Sequence, residues 1–313
     1  MDNLVFSLNA TVPVFAMMLL GMLFKKMGLI DDDFASKMNK FVFVIALPVL
    51  LFEDLATTDF YEVWDLSFVL FCFVVTVLSI LLVAVLSHFL DYSIQGEFIQ
   101  ASYRSSAALM GIALIQNIYG NASMAPLMII GSVPLYNMMA VVVLSFFQPE
   151  RKKLNKDLWF QTLKGIITNP IIIGIVIGLG WSVLRIPMIP MLEKTVSYVG
   201  STATPLGLMA MGASFQMDKV LQKAKPILLG SFMKLIGFCV LFLPIAILLG
   251  FQTEKLVSIL IMLASPTTIS CYVMARNMNH EGSLTSGVVM LTTLLSAFSI
   301  TLWIFILRSL SLI

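Results

Sequence analysis

The chain has 313 residues, of which 59% are hydrophobic and 12% charged, about half the charged share of a soluble domain, and its mean hydropathy is +0.98. So little polar surface excludes a water-soluble globule, a disordered chain and a coiled coil, and places the protein in a lipid bilayer. Its net charge of +2, from 19 Lys+Arg against 17 Asp+Glu, excludes the clustered basic face that nucleic acid requires.

A helix that crosses a bilayer needs about 20 mostly apolar residues. In chain order ten such helices are predicted, at roughly 4–27, 34–56, 65–90, 96–120, 123–147, 158–184, 191–217, 225–250, 254–278 and 283–310. The first follows Met1-Asp2-Asn3 with no positive n-region, so it is expected to be a retained span rather than a cleaved leader. The second carries Lys37 and Lys40 near one end, where they can snorkel to headgroups. The uncharged run 105–149 is too long for one crossing and divides at Gly120-Asn121-Ala122-Ser123. Cys72, Cys239 and Cys271 lie within apolar stretches and read as small buried hydrophobes. Trp64, Trp159, Trp181 and Trp303 fall near predicted interfaces, where they would anchor, and the 21 Met read as packing or lipid-facing residues.

Lys and Arg are retained on the cytoplasmic side. With the N-terminus outside, the inner loops hold thirteen, including Lys25, Lys26, Arg151, Lys152, Lys219 and Arg276. The outer ends hold four, Arg185, Lys194, Lys255 and Arg308. Both termini are therefore expected outside, and 148–158 becomes a short basic cytoplasmic linker between two five-helix halves.

A shift of 157 positions superimposes the halves: Thr11 on Thr168, Pro13 on Pro170, Gly21 on Gly178, Lys37 on Lys194, Pro48 on Pro205, and Gln95 and Glu97 on Gln252 and Glu254. Five is odd, so the second half crosses in the opposite sense, and inverted-topology repeats are the architecture of secondary transporters. Interrupted helices at matching places in the halves mark the transport site. The fourth span, reading Arg104-Ser105-Ser106-Ala107-Ala108-Leu109-Met110-Gly111, and the ninth, reading Ala264-Ser265-Pro266-Thr267-Thr268-Ile269-Ser270, fit. Pro266 removes an amide donor and Gly111 tolerates unwinding. The hydroxyls of Ser105, Ser106, Thr267, Thr268 and Ser270 can satisfy freed backbone groups or a ligand, or simply permit close helix packing. Half-helix N-termini at such a break suit an anion. Pro13/Pro170 and Pro48/Pro205 are expected to kink the first two helices of each half.

The segment Leu109-Met110-Gly111-Ile112 resembles the first crossover of the auxin efflux carrier family, where the pattern runs Asn, then Gly-Ile-Pro. The tract Ala264-Ser265-Pro266-Thr267-Thr268-Ile269-Ser270, continuing to Thr292-Thr293-Leu294-Leu295-Ser296, is similar to that family's second crossover and last helix. The chain departs from the pattern at Ser106, which takes the place of the crossover Asn, and at Ala113, which takes that of the Pro. The resemblance implies a bile-acid-carrier-like fold of ten helices. Scaffold helices 1–2 (1–60) and 6–7 (151–220) would flank mobile helices 3–5 (61–150) and 8–10 (221–313), with helices 4 and 9 crossing at the substrate. It also implies a homodimer formed through the scaffold, and auxin, malate or malonate as the kind of cargo.

Charges inside spans are candidate functional residues. Arg104 lies about 10 Å along its helix from Glu97, and Lys234 about 13 Å from Lys225. No Asp or Glu is expected at comparable depth: Glu53 and Asp54 fall at the outer end of the second helix, Glu97 and Glu254 at span entrances. Either cation could meet a carboxylate cargo. Alternatively Lys234 caps carbonyls at a broken helix, where related folds hold sodium, and Arg104 snorkels to the headgroups. An anion leaving an inside-negative cell gains about 2.3 kcal/mol per charge per 100 mV, so efflux needs no coupling ion.

His88 and His280 lie at cytoplasmic ends, and no HExxH, nucleophile-elbow serine or phosphate loop occurs, so no enzyme, cofactor or metal site is expected. The sequence therefore reads as a plasma-membrane carrier, in bacteria of the inner membrane, for small organic anions. A sodium-coupled symporter and a membrane sensor without net transport are the alternatives. The sensor is disfavoured because no soluble output domain is attached.

Overall fold

The computed structural model describes residues 2–57, 65–107, 115, 118–119, 124–148, 164–165 and 167–313. Among the described residues the regular secondary structure is helical throughout. In chain order the helices are α1 (Asp2–Lys26), α2 (Asp32–Ala56), α3 (Leu66–Ser87), α4 (Tyr92–Tyr103), α5 (Ala125–Phe146), α6 (Pro170–Val183), α7 (Pro190–Ser201), α8 (Ala203–Ala213), α9 (Met217–Gln222), α10 (Ala224–Leu248), α11 (Thr253–Ala264), α12 (Ser270–Asn277) and α13 (Ser283–Ser309). Among the described residues five helices are long and apolar enough to cross a membrane: α2, α3, most of α5, α10 and α13. Their outer faces leave large apolar side chains such as Leu70, Val240 and Phe298 exposed, as lipid contact requires.

Local chemistry sets the boundaries. Asp31 and Asp65 cap α2 and α3 by accepting from the Phe34 and Phe68 amides at 2.7 and 3.1 Å. Pro48 has no N–H to give the turn before it, and α2 accommodates this by widening into a π segment, Val42–Ala46. The expected kink at Pro170 is instead a helix start. Asn169 accepts from the Ile171 amide at 2.9 Å with Pro170 in the first turn, so α6 is shorter than the expected 158–184, and 158–163 lies outside the described residues. The seventh expected span is divided at Thr202, three residues before Pro205.

Helix α1 packs on α8, and α6 on α2, through glycine. A Cβ on Gly21 of α1 would stand 2.2 Å from the Met209 carbonyl oxygen of α8, and one on Gly178 of α6 would stand 2.9 Å from that of Phe52 in α2. Positions 21 and 178 are 157 apart, and so are 52 and 209. The same close approach is thus built twice with the partners exchanged.

The constant shift fails at the breaks. Helices α4 and α11 each have 12 residues and each ends on an extended residue, Arg104 (ψ 137°) and Ser265 (ψ 148°). These ends are 161 apart, so the pairing of Gln95 and Glu97 with Gln252 and Glu254 is one helical turn out of register with the backbone there. Nor is Glu97 at a span entrance open to water. It is buried and accepts from the Gly282 and Thr285 amides at 2.8 and 3.0 Å, capping α13. Glu254 accepts from the Met124 amide at 2.7 Å, where α5 begins. Each carboxylate serves a helix of the opposite half, as the positive end of the helix dipole favours.

Candidate functional site

The site forms where two half-helices end. From Gln95 to Tyr103 of α4 and from Leu256 to Ala264 of α11 every residue is buried, so these short helices lie inside protein rather than against lipid. Pro266 and the extended residues beside it stop α11, and the chain restarts as α12 at Ser270. The break in the other half opens at Arg104. Gly111, the expected point of unwinding, and Ala113 lie outside the described residues, as does the Gly120–Ser123 division.

The two breaks cross in contact. The Ser106 amide donates to the Pro266 carbonyl at 2.9 Å. Thr267 donates through its hydroxyl to the Ala101 carbonyl at 2.7 Å, and its amide reaches the Thr292 hydroxyl at 3.0 Å. Gln100 donates to the Cys271 carbonyl at 2.9 Å. The last carbonyls of each half-helix have no partner within the helix, and in a bilayer no water compensates them; the Thr267 hydroxyl from the other break does so for Ala101 of α4. Ser105 contributes weakly, 3.4 Å from the Ser265 carbonyl, and the Thr268 and Ser270 hydroxyls lie 3.3 Å apart.

Lys234 sits in a second π segment, Met233–Gly237 of α10, and is wholly buried. Its ammonium donates to the carbonyls of Leu263 at 2.7 Å and Met262 at 3.3 Å, at the negative end of the α11 dipole. Trp303, read from the sequence as an interface anchor, instead donates from its ring N–H to the Leu235 carbonyl at 3.1 Å, beside Lys234.

Arg104 does not reach the headgroups. It is 1% exposed, with Nη2 donating to Asn137 Oδ1 at 2.6 Å and Ser270 Oγ at 2.7 Å, and Nη1 to the Met274 sulfur at 2.9 Å. Its Nε has no partner among the described residues. The ion pairs found among the described residues, Lys25–Asp32, Lys37–Asp33, Lys219–Glu281, Lys223–Glu281 and Lys255–Asp65, leave this guanidinium answered by neutral groups alone.

Arg104, Ser105, Ser106, Thr268 and Ser270 line a cavity of about 60 Å³ together with Asn137 and Tyr136 of α5. Its opposite wall is Leu47, Leu50, Leu51 and Asp54 of α2 and Thr204 of α8. Leu47 and Thr204 are again 157 apart. Of the sequence-predicted residues, Pro266, Thr267 and Lys234 hold the crossing together behind this cavity rather than line it. Asp54 lies near the end of its helix, as expected, but sequence reasoning missed that it lines this cavity as well. The signal was present: Leu47, Leu50, Leu51 and Asp54 share one helical face. Asn137, within an uncharged span, gave none.

A second cavity, of about 390 Å³, lies between the start of α2, the α8–α9 turn and the α12–α13 turn. Asn39, Lys40, Lys219, Tyr272, Arg276 and Glu281 are among its lining residues, which makes it a polar vestibule beside the Asn277 contact to the Asn39 carbonyl. No cluster of three or more His, Cys, Asp or Glu able to hold a metal occurs among the described residues.

An uncharacterized transporter of Methanothermobacter thermautotrophicus is 20% identical over 308 residues, covering 95% of this chain and 97% of its own length. The sequence model of the membrane transport protein family matches residues 6–304. The protein is a multi-pass membrane protein, and the chain belongs to that membrane transport family, of the auxin efflux carrier type.

Proposed function

We propose that the protein is a secondary carrier that moves small organic anions, auxin-like or dicarboxylate, across the plasma membrane by alternating access. The observation that carries this reading is Arg104, a buried cation on a cavity wall at the crossing of two broken helices, with only neutral partners among the described residues. A charge so placed is costly until an anion answers it.

Ten crossings in two inverted five-helix halves are the architecture we infer. The exchanged Gly21–Met209 and Gly178–Phe52 contacts, the twin 12-residue half-helices and the reciprocal caps from Glu97 and Glu254 support it. In this reading 1–60 and 151–220 form a scaffold, and 61–150 and 221–313 the moving unit. The cavity then lies between the units, with Asp54 and Thr204 on one and Arg104 and Ser270 on the other. At about 60 Å³ it is well below the roughly 300–1,000 Å³ of ligand pockets, so the units must part to admit cargo. The loop charges favour both termini outside and the vestibule in the cytoplasm. Exposed apolar side chains on α6, such as Ile173, Val176 and Ile177, suit a scaffold-mediated homodimer. The Lys234 ammonium already occupies the carbonyls that a coupling cation would take, which favours export driven by membrane potential over sodium symport.

Uptake of labelled malate, malonate and indole acetate into proteoliposomes, with and without sodium, pH and voltage gradients, tests the reading. Potential-driven flux that Arg104→Gln abolishes is the expected result. Flux that depends on sodium and ignores potential overturns the uncoupled mechanism, and full flux in Arg104→Gln overturns the site.

A further inference from the structure

We propose that the groove between the α3–α4 turn and the start of α10 binds the headgroup of an aminophospholipid of the phosphatidylethanolamine type, with its phosphate on Lys225 and its ammonium on Asp91. Such binding is separate from the transport of any cargo and requires only that α3 and α10 cross a bilayer.

The apolar span of α3 ends at Ser87 and that of α10 begins at Ala224, and the groove lies between these two ends, at the level of lipid headgroups. Its volume of about 540 Å³ falls within the roughly 300–1,000 Å³ of small-molecule sites. Phe89, Leu90 and Ile94 line the side of the α3–α4 turn, and Phe89 is 87% exposed. A bare apolar ring at that level is placed to meet acyl chains. Val85 of α3 and Leu228 of α10 are exposed just inside the spans and continue the apolar surface into the bilayer.

Five charged side chains line the groove: Asp91, Glu97, Lys223, Lys225 and Glu281. Three are committed, since Glu97 caps α13 and Lys223 pairs with Glu281. Asp91 and Lys225 remain, one on each side, both exposed and without an ion pair to any described residue. Local helix chemistry accounts for neither. Asp91 stands immediately before α4 as Asp31 and Asp65 stand before α2 and α3, yet it makes no capping hydrogen bond where they do. Lys225 sits in the first turn of α10, where the helix dipole disfavours a cation. A ligand that answers both must carry an anion and a cation a few bonds apart, and the phosphoethanolamine diester does. Its phosphate oxygens accept from the Lys225 ammonium, and its own ammonium donates to the Asp91 carboxylate, both as charge-assisted hydrogen bonds. A choline headgroup has the same charges but no N–H to donate, and a glycerol headgroup has no cation for Asp91.

A methylation series isolates the amine: phosphatidylethanolamine, its N-monomethyl and N,N-dimethyl forms and phosphatidylcholine, all with lauroyl chains, lose N–H donors stepwise and keep their charges. With dilauroyl phosphatidylglycerol alongside, each is titrated into the full-length protein in detergent, and bound lipid is counted by native mass spectrometry. The wild type should bind the ethanolamine lipid about tenfold more tightly than the choline or glycerol lipid, as a hydrogen bond to a charged group implies, with the methylated forms between. Asp91→Asn should remove most of the preference over choline. Lys225→Gln should weaken the ethanolamine and choline lipids alike. Asp218→Asn, which alters an exposed carboxylate of α9 that does not line the groove, should leave the ranking unchanged.

Equal affinity of the wild type for the ethanolamine and choline lipids overturns the proposal, as does tighter binding of the glycerol lipid. A preference for ethanolamine that survives in both Asp91→Asn and Lys225→Gln overturns it too, because the lipid then sits elsewhere. Both side chains are exposed and Asp91 caps nothing, so each variant should unfold at the wild-type midpoint in lipid-free detergent. Should one variant fail to fold, the wild-type ranking and the other variant still decide.

Discussion

The Lys234 ammonium donates to the Leu263 carbonyl at 2.7 Å, which ties the π segment of α10 to the last turn of α11. The contact joins two features that would each be costly alone, a buried cation and the unpaired carbonyls of a helix that ends inside the protein. Lys234→Met keeps most of the volume and removes the donor. It should destabilise the protein by about 1–3 kcal/mol, the cost of leaving buried acceptors bare. Thermal unfolding in detergent reads this, and a midpoint equal to that of the wild type would show that Lys234 is not the cap.

Asn137, a neutral amide on the cavity wall, is expected to position Arg104. Its amide nitrogen donates to the Val133 carbonyl at 2.9 Å, which turns its oxygen toward the Arg104 Nη2 at 2.6 Å. Hydrogen bonds to charged groups contribute about 1.5–3 kcal/mol, so Asn137→Leu should raise the KM for an anion roughly tenfold or more. Asn137→Asp should restore little, because it pairs the guanidinium that the cargo needs. The measurement is concentration-dependent flux, and a KM within twofold of the wild type in Asn137→Leu would remove the positioning role.

How much of this was legible in the sequence depends on whether the signal was local. The all-helical membrane character and the two breaks follow from apolar run length, Pro266 and hydroxyl clustering, all of which act within a turn or two. The Gly21–Gly178 equivalence was legible because a close helix approach tolerates no Cβ, and so marks the position wherever it falls. The register at the breaks was not legible. Gln95–Glu97 and Gln252–Glu254 match as letters, but each acid caps a helix almost two hundred residues or more than a hundred residues away, and that tertiary demand does not constrain its place along its own helix. That Asp54 lines the cavity was missed for a related reason. Depth was counted along one helix from its end, while exposure to the cavity depends on which face the neighbouring crossover covers.

The glycine contacts between α1 and α8 make a paired prediction. A side chain on Gly21 or Gly212 would strike backbone of the facing helix at 2.2 or 2.1 Å, and backbone cannot swing aside as a side-chain tip can. Gly21→Val and Gly212→Val should each destabilise by about 1–3 kcal/mol or more through overpacking. Gly180→Val is the control, since nothing lies within 4 Å of its Cβ position. Equal unfolding midpoints for Gly21→Val and Gly180→Val would mean that α1 and α8 do not touch as described.

Outside the membrane-spanning segments, Glu281 predicts a pH dependence whose sign follows from its partners. Burial alone would raise its carboxyl, but hydrogen bonds from Lys223 and Lys219 outweigh that and hold it at about 2, below the ordinary 4.5. Lys223 also donates to Ser283 Oγ at 2.5 Å, so the cluster ties the end of α9 to the start of α13. A carboxylate depressed on folding contributes its stability above its unfolded value and loses it as pH falls through the folded one. The contribution should therefore be whole above about pH 4.5 and fade toward pH 2. Glu281 is 41% exposed, so solvent screening keeps it to roughly 1 kcal/mol or less. The wild type and Glu281→Gln should differ in unfolding midpoint at pH 7, converge as the pH approaches 2, and differ less at high salt. A gap that widens on acidification would mean that the lysines do not hold Glu281 ionised, and that another contact ties α9 to α13.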